Sequence, residues 1–374
     1  MPAVTYTLQI NGQAASPEVL AAVQRIEVED HASLADMMRL RLAVGVREDG
    51  SGWTVVDDNL FQRLANLRLT VSVGASLREP LLDACVIETT ARFANQPGES
   101  MLEVVAMDPS VLMNLEEKVR PWPDMSDSDI ASAIYGEYGF DVDVESTEPT
   151  RQEVDVTSIQ RGTDFQFLRQ LAARNGYEVF VETDPRDGTA KGHFHAPRLN
   201  QEPQAVLSVN LGEGTNVNSF EARYDMLRPT EAQAAGLGVK DQSDQTSQTQ
   251  GGEQAGLGSQ TTLPTDRPRR VLLSQTGLSQ AGELQTLAQA VLDDSAWAIV
   301  AEGDLHTMAF GKILRAKRPV LVRGAGRQFS GTYYVERVLH SLSGDSYTQT
   351  FSLRRNALAL TSQESFMEDN ALSG

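Results

Sequence analysis

Residues able to do chemistry are thinly spread along this chain. His193 and His195, in GHFH, stand two apart, so a strand would carry both imidazoles on one side. Two histidines do not complete a zinc site, and the pair reads as solvated strand residues. Asp124, Asp127 and Asp129 offer three carboxylates, but the run lacks the glycine and the distal glutamate of a calcium loop. Ser126 and Asp129 fit a capping box instead, with acidic residues at the positive end of a helix. His340 stands alone in a strand pattern and reads as structural. Cys85, in LLDACVIE, is the single cysteine, which excludes an intrachain disulfide and a cysteine-based metal site. A glycosidase needs two carboxylates about 5 to 9 Å apart in a cleft, and no acid here has a lysozyme-like context. A GxSxG elbow, a phosphate loop and HExxH are all missing. A carbohydrate-binding sandwich would want exposed aromatics, and 3 Trp and 8 Tyr supply few. The expectation is a protein without catalytic, cofactor-binding or metal-binding residues.

One charge cluster stands out. Lys312, Arg315, Lys317, Arg318, Arg323 and Arg327 follow one another with no acid between them, in a chain of formal net charge -19. They read either as solvated strand faces, with lysine and arginine guarding a sheet edge, or as a docking surface for an acidic partner. The overall acidity argues against general affinity for nucleic acid or anionic membrane.

The elements that must carry these residues are mostly strands. Thr5 to Ile10 alternates and ends at Asn11-Gly12, a hairpin signal. Ile26 and Val28, then Leu40, Leu42 and Val44, then Leu67, Leu69, Val71 and Val73 alternate with polar residues. CVIETTARF and SMLEVVAMD follow. Short strands at this spacing predict a small antiparallel barrel or sandwich before about residue 110. Helical texture begins near Ser110. Ile130, Ile134 and Tyr138 share a face, closed by Gly139. The stretch RGTDFQFLRQLAARNGYEVFVE holds the fullest helix signal, with Thr163 and Gln166 as a capping box and Phe165, Leu168, Leu171 and Ala172 on one face. Asn175-Gly176 ends the helix, and a strand from Tyr177 follows at once. Strands return from Gln204. Residues 241 to 262 hold one leucine, no aromatic and threonine as the only β-branched type. That composition predicts a mobile loop or linker. A helix follows with Leu284, Leu287, Ala288, Val291 and Leu292 in a stripe, and the chain closes in β hairpins.

At 374 residues the chain is long enough for two to four domains. MPAVTYTLQING lacks the basic and apolar regions of a signal peptide, and no apolar run approaches the roughly 18 residues of a membrane helix. The chain reads as soluble, made in a reducing compartment and free of a membrane anchor.

Four segments, in order, resemble one family. They are LEVVAMDPSVLMNL, DSDIASAIYGEYGF, the Thr163-Asp-Phe-x-Phe-Leu helix with its Gly176-Tyr177, and the closing pattern Phe329-Ser-Gly-Thr-Tyr333 through Tyr347, Thr350, Phe351 and Arg355-Asn356. Together they resemble contractile-tail baseplate hub proteins: phage late-control D proteins and the hub part of type VI secretion spike proteins. The resemblance implies a mainly β fold with α+β insertions, two tube-like antiparallel β-barrel domains plus smaller α/β domains. It places the first barrel at 1–110, an α/β domain at 111–203, the second barrel at 204–230 and 300–360, a flexible loop and helical insertion at 231–299, and an acidic tail at 361–374. It implies a homotrimer joining a hexameric inner tube to a trimeric spike, with baseplate wedge proteins alongside, no cofactor and no nucleic acid. The chain would be cytoplasmic at assembly and then part of a virion baseplate or extracellular particle. Ending at Gly374, it would need a separate spike protein. The alternative is a baseplate-associated peptidoglycan hydrolase or another tail or binding protein.

Overall fold

The computed structural model describes residues 4–74, 77–96, 98–148, 157–184, 188–237, 244–249, 251–263, 266–274, 278, 280–344 and 346–366. The amino-terminal part consists of β1 (Val4–Ile10), β2 (Gln13–Ala14), the short helix α1 (Pro17–Ala22), β3 (Val23–His31), β4 (Met37–Ala43), β5 (Asn66–Val73), β6 (Leu77–Arg92) and β7 (Met101–Met107). Alternation decides which face is buried. Leu67, Leu69, Val71 and Val73 of β5 point inward, and so do Met38, Leu40 and Leu42 of β4 and Leu102, Val104 and Ala106 of β7. They form one core with Ile26 and Val28, and Ile313, Leu342 and Tyr347 from the far end of the chain complete it.

An α/β layer follows: β8 (Glu117–Trp122), α2 (Asp127–Glu137), β9 (Asp141–Val144), β10 (Ser158–Thr163), α3 (Asp164–Asn175), β11 (Glu178–Thr183) and β12 (Ala190–His195). Both capping boxes form. Thr163 Oγ1 accepts from Gln166 N at 3.3 Å while Gln166 Oε1 accepts from Thr163 N at 3.3 Å, and Ser126 and Asp129 make the same exchange at α2. Gly176 closes α3 at φ +68°, a left-handed conformation open to glycine. Phe165, Phe167, Leu168, Leu171 and Ala172 bury one side of α3 against Trp122, Ile130, Ile134 and Tyr135. Thr163→Ala removes the cap and is expected to lower stability by about 1 kcal/mol, read as a shifted urea midpoint at unchanged slope.

The remaining elements are β13 (Val206–Ser208), β14 (Ser219–Tyr224), β15 (Thr230–Leu237), β16 (Asp244–Gln248), β17 (Gln260–Thr261), β18 (Arg269–Leu273), α4 (Ala281–Ser295), β19 (Ile299–His306), α5 (Thr307–Phe310), β20 (Pro319–Arg323), α6 (Gly326–Phe329), β21 (Gly331–Ser343), β22 (Ser346–Arg355) and β23 (Ala357–Leu358). A second core gathers Ile299, Ala301, Val320, Val322, Tyr333, Val335, Phe351 and Leu353. The two halves meet as sheet. β21 pairs antiparallel with β3, from Arg337 opposite His31 to Leu342 opposite Ile26. A 13-stranded sheet therefore runs β14-β19-β22-β21-β3-β4-β7-β6-β5-β1-β2, with β20 on β21 and β13 on β20. The fold is mainly β, with large antiparallel pairing and smaller α/β parts.

The stretch expected to be mobile is built into the fold over its described residues; 241–243 and Gln250 lie outside them. β16 pairs with β15, β15 pairs with β18, and α4 packs on that sheet through Leu284 and Ala288 against Ala232 and Ala234. Leu257 is buried with Trp297 and Tyr334. Thr262 Oγ1 donates to the carbonyls of Ala296 at 2.7 Å and Asn356 at 2.9 Å. Low apolar content does leave the segment without a core of its own. Its order comes from polar partners distant in sequence, which local composition cannot register. Helix α4 also packs on α3, tying this insertion to the α/β layer.

Candidate functional site at the junction of the two β halves

The charged residues concentrate where β3 meets β21. Ile26, Val28 and Asp30 share the inward register of β3, so alternation carries a carboxylate into the interior. Asp36 and Asp108 close the adjoining loops. Asp36 N donates to Asp108 Oδ2 at 2.6 Å, Asp108 Oδ1 accepts from Ser110 N at 2.7 Å, and Asp36 Oδ1 accepts from His31 N at 2.8 Å. The countercharge comes from the other half of the chain. Lys317 Nζ lies 2.8 Å from Asp30 Oδ1 and 3.0 Å from Asp36 Oδ2. Arg315 Nε lies 3.3 Å from Asp30 Oδ2, which also accepts from Ala316 N at 3.1 Å. Lys317 adopts φ +66°, which an L side chain resists. Its ammonium held by two carboxylates and its backbone N–H donated to Val335 O at 2.9 Å maintain that conformation.

Environment splits these acids. Burial alone would raise Asp30, but Lys317 and Arg315 overcome it and hold the carboxyl well below the usual range. Burial, with Asp30 and Asp108 as like charges, pushes Asp36 well up against the pull of Lys317. Burial also raises Asp108. Burial would depress Lys317, yet Asp30, Asp36 and Glu182 raise it. His340, also in this core, donates or accepts at Tyr347 Oη across 2.9 Å, and burial followed by Arg315 lowers it to about 3. The arrangement is an electrostatic clamp across two halves of the sheet. A parallel clamp holds the α/β layer: Tyr334 Oη donates to Glu178 Oε2 at 2.6 Å, and Arg354 reaches Glu178 Oε1 at 2.7 Å.

The six basic residues marked in the sequence are not brought together as one surface. Lys317 is 6% exposed and its charge faces inward. Arg315 is half-buried and donates to Leu81 O at 2.9 Å as well as pairing with Asp30. Arg323 is half-buried, with Nε on Ser208 Oγ at 2.8 Å. Lys312, Arg318 and Arg327 are exposed. Six basic residues in a row are thus divided by strand alternation and turns, half inside and half out. His193 and His195 are also not solvated: they are 9% and 4% exposed, because Phe194 between them enters the α/β core while their own face is covered by Phe180. Asp127 binds Arg174 and Asn175 on α3, a helix-to-helix tie. Reasoning on sequence missed Asp30, Asp36, Asp108, Glu178 and Arg354. Of these Asp30 carries a readable signal, an acid on the buried phase of an alternating strand.

The family described as the Alg8 N-terminal domain, Alg8_N, has a model that matches residues 1–344. The chain belongs to this family. Its description names no tail protein, so the match does not confirm the family that the four segments resemble. No curated protein matches the chain. Solved structures show what the fold of this Alg8_N chain is like. It is similar to a tail protein of Neisseria meningitidis MC58, with a TM-score of 0.66 and 12% identity over 95% of this chain and 97% of that one. It is similar to the 43 kDa tail protein of prophage MuSo2 from Shewanella oneidensis, with a TM-score of 0.65 and 14% identity over 95% and 99%. An Escherichia coli component of the type VI secretion system, described as structurally similar to the phage T4 tail proteins gp27 and gp5, aligns with a TM-score of 0.59 and 13% identity over 96% and 80%. At these identities the likeness establishes the fold, a β-rich tail-protein architecture spanning nearly the whole chain. Among the described residues no helix is long and apolar enough to cross a membrane.

Proposed function

We propose that this chain is a structural baseplate hub of a contractile tail or contractile injection system: a homotrimeric adaptor between a hexameric inner tube and a trimeric spike, carried in the finished particle. The observation that supports this reading is the pairing of β3 with β21, which places two antiparallel β halves side by side in one chain, each with its own core. Closed assemblies of one chain type have cyclic symmetry. Three such chains in a ring offer six β halves to a six-fold tube and three copies of every other surface to a spike. Wedge proteins are the remaining neighbours expected of such a particle. The tail-protein fold over the chain's length supports the same reading.

The clamp at the junction fits this role, since an adaptor under load must keep its two β halves in fixed register. The test is coexpression with tube and spike proteins followed by size separation. Recovery of a complex holding all three supports the proposal; a chain that binds neither overturns it. We further expect no peptidoglycan hydrolysis. A clear zymogram band from the purified chain, lost on replacing one carboxylate, would establish an enzyme instead.

A further inference from the structure

A second cluster lies on the α/β layer, unused by the hub reading. β12 holds His193 and His195 on one face, and its parallel partner β9 sets Asp143 directly opposite His193. One ligand atom from each of the three lies within 4.8 Å of the others. The rings are held in place. Phe180 stacks on His193 at 4.4 Å between centroids and meets His195 edge-on at 5.7 Å. His195 Nδ1 lies 2.8 Å from the Ala196 carbonyl oxygen, which can only accept. That contact makes Nδ1 the donor, so in the neutral ring Nε2 holds the lone pair, the tautomer that a metal-binding histidine needs.

His193 is the less settled member. Its Nδ1 is buried and has no hydrogen-bond partner. Asp143 Oδ2 stands 3.3 Å away without hydrogen-bonding geometry. A buried nitrogen left unpaired is unfavourable. Asp143 is half-buried, and Arg198 holds its other oxygen, Oδ1, at 2.6 Å. That contact orients the carboxylate and leaves Oδ2 toward the histidines.

We propose that Asp143, His193 and His195 bind one divalent first-row transition-metal ion, with zinc as the reference cation. Two imidazoles and a carboxylate are too rich in nitrogen for magnesium or calcium, which take oxygen ligands. Without thiolate, the set does not select copper(I) or an iron–sulfur cluster. Three protein donors leave a fourth position for water or for a donor from a neighbouring protein. Such an ion would cross-link β9 to β12, a four-residue parallel pairing at the rim of a three-stranded sheet. β11 of the same sheet carries Glu178, so the ion would also stiffen the platform that grips Tyr334 and Arg354.

The test uses the full chain without a histidine tag, titrated calorimetrically with zinc chloride. Cobalt(II) absorption in the visible reports the donor geometry. One ion per chain is expected. His193→Ala and His195→Ala should each weaken binding by more than roughly tenfold, and Asp143→Asn should weaken it as well. His193→Gln keeps a polar side chain of similar size, and circular dichroism of each variant separates loss of ligand from loss of fold. Absence of saturable zinc binding by the wild-type chain would overturn the site. So would zinc binding of wild-type strength in a folded variant lacking both imidazoles.

Discussion

Lys317→Met should destabilise the folded chain by about 3–5 kcal/mol, the range for removing one partner from a buried charge cluster. The variant keeps the length of the side chain and leaves Asp30 and Asp36 facing each other without their shared ammonium. The loss should depend on pH with a defined sign. Asp30 is held below its unfolded value near 3.9. Its contribution in the wild type is therefore present above that value and lost as pH falls toward the folded one. In the variant Asp30 keeps Arg315 but not Lys317, so acid removes a smaller favourable interaction there. The gap between wild type and variant should narrow below about pH 4. Lys317 itself is raised, so its contribution is full below the unfolded lysine value near 10.4 and declines only in stronger alkali. Urea unfolding at several pH values measures both arms. Pairing the variant with Asp30→Asn should recover part of the loss, the signature of direct coupling. A gap that widens on acidification would contradict the clamp.

Arg355→Met should be nearly as damaging, by about 3 kcal/mol or more, since several buried carbonyls lose their donor together. Arg355 is fully buried on β22. Its guanidinium donates to Leu257 O at 2.9 Å, Ser330 O at 3.0 Å and Ala359 O at 2.6 Å, and sits 5.3 Å from the Tyr333 ring centroid. Leu257 belongs to the polar stretch that cannot order itself. The global loss should therefore be accompanied by a local one: residues 251–263 should become the first site of proteolytic cleavage. Limited proteolysis with mass mapping reads this directly. If 251–263 stays protected in the variant while stability falls, the segment is held by something other than Arg355.

Much of the β architecture could be read before any coordinates. β5, β4 and β7 alternate cleanly because one face meets a core and the other meets water, the condition under which period-2 patterning is unambiguous. The α3 unit was readable in full, from the Thr163 cap to Gly176, because its signals are local. The joining of the halves was not readable. β3 and β21 lie far apart in sequence, and charged side chains along their pairing, such as Arg337 and Glu29, read as solvent-facing. The basic run was legible as charge but not as burial, because the acids that receive Lys317 and Arg315 come from the opposite end of the chain. GHFH failed for a related reason. Alternation separates two faces, and here both are covered, one by the α/β core and one by Phe180. Among buried polar residues, His340 was read as structural and Asp30 could have been found, since both occupy inward positions of alternating strands.

The central claim is that two β halves per chain reconcile a six-fold partner with a three-fold one. Imaging the particle assembled from this chain, its tube protein and its spike tests that claim most directly. Three copies in one ring are expected, with the β3–β7 and β19–β22 halves alternating around a central channel beneath six tube subunits. Six copies in the ring, or a ring lined by one half alone, would contradict it.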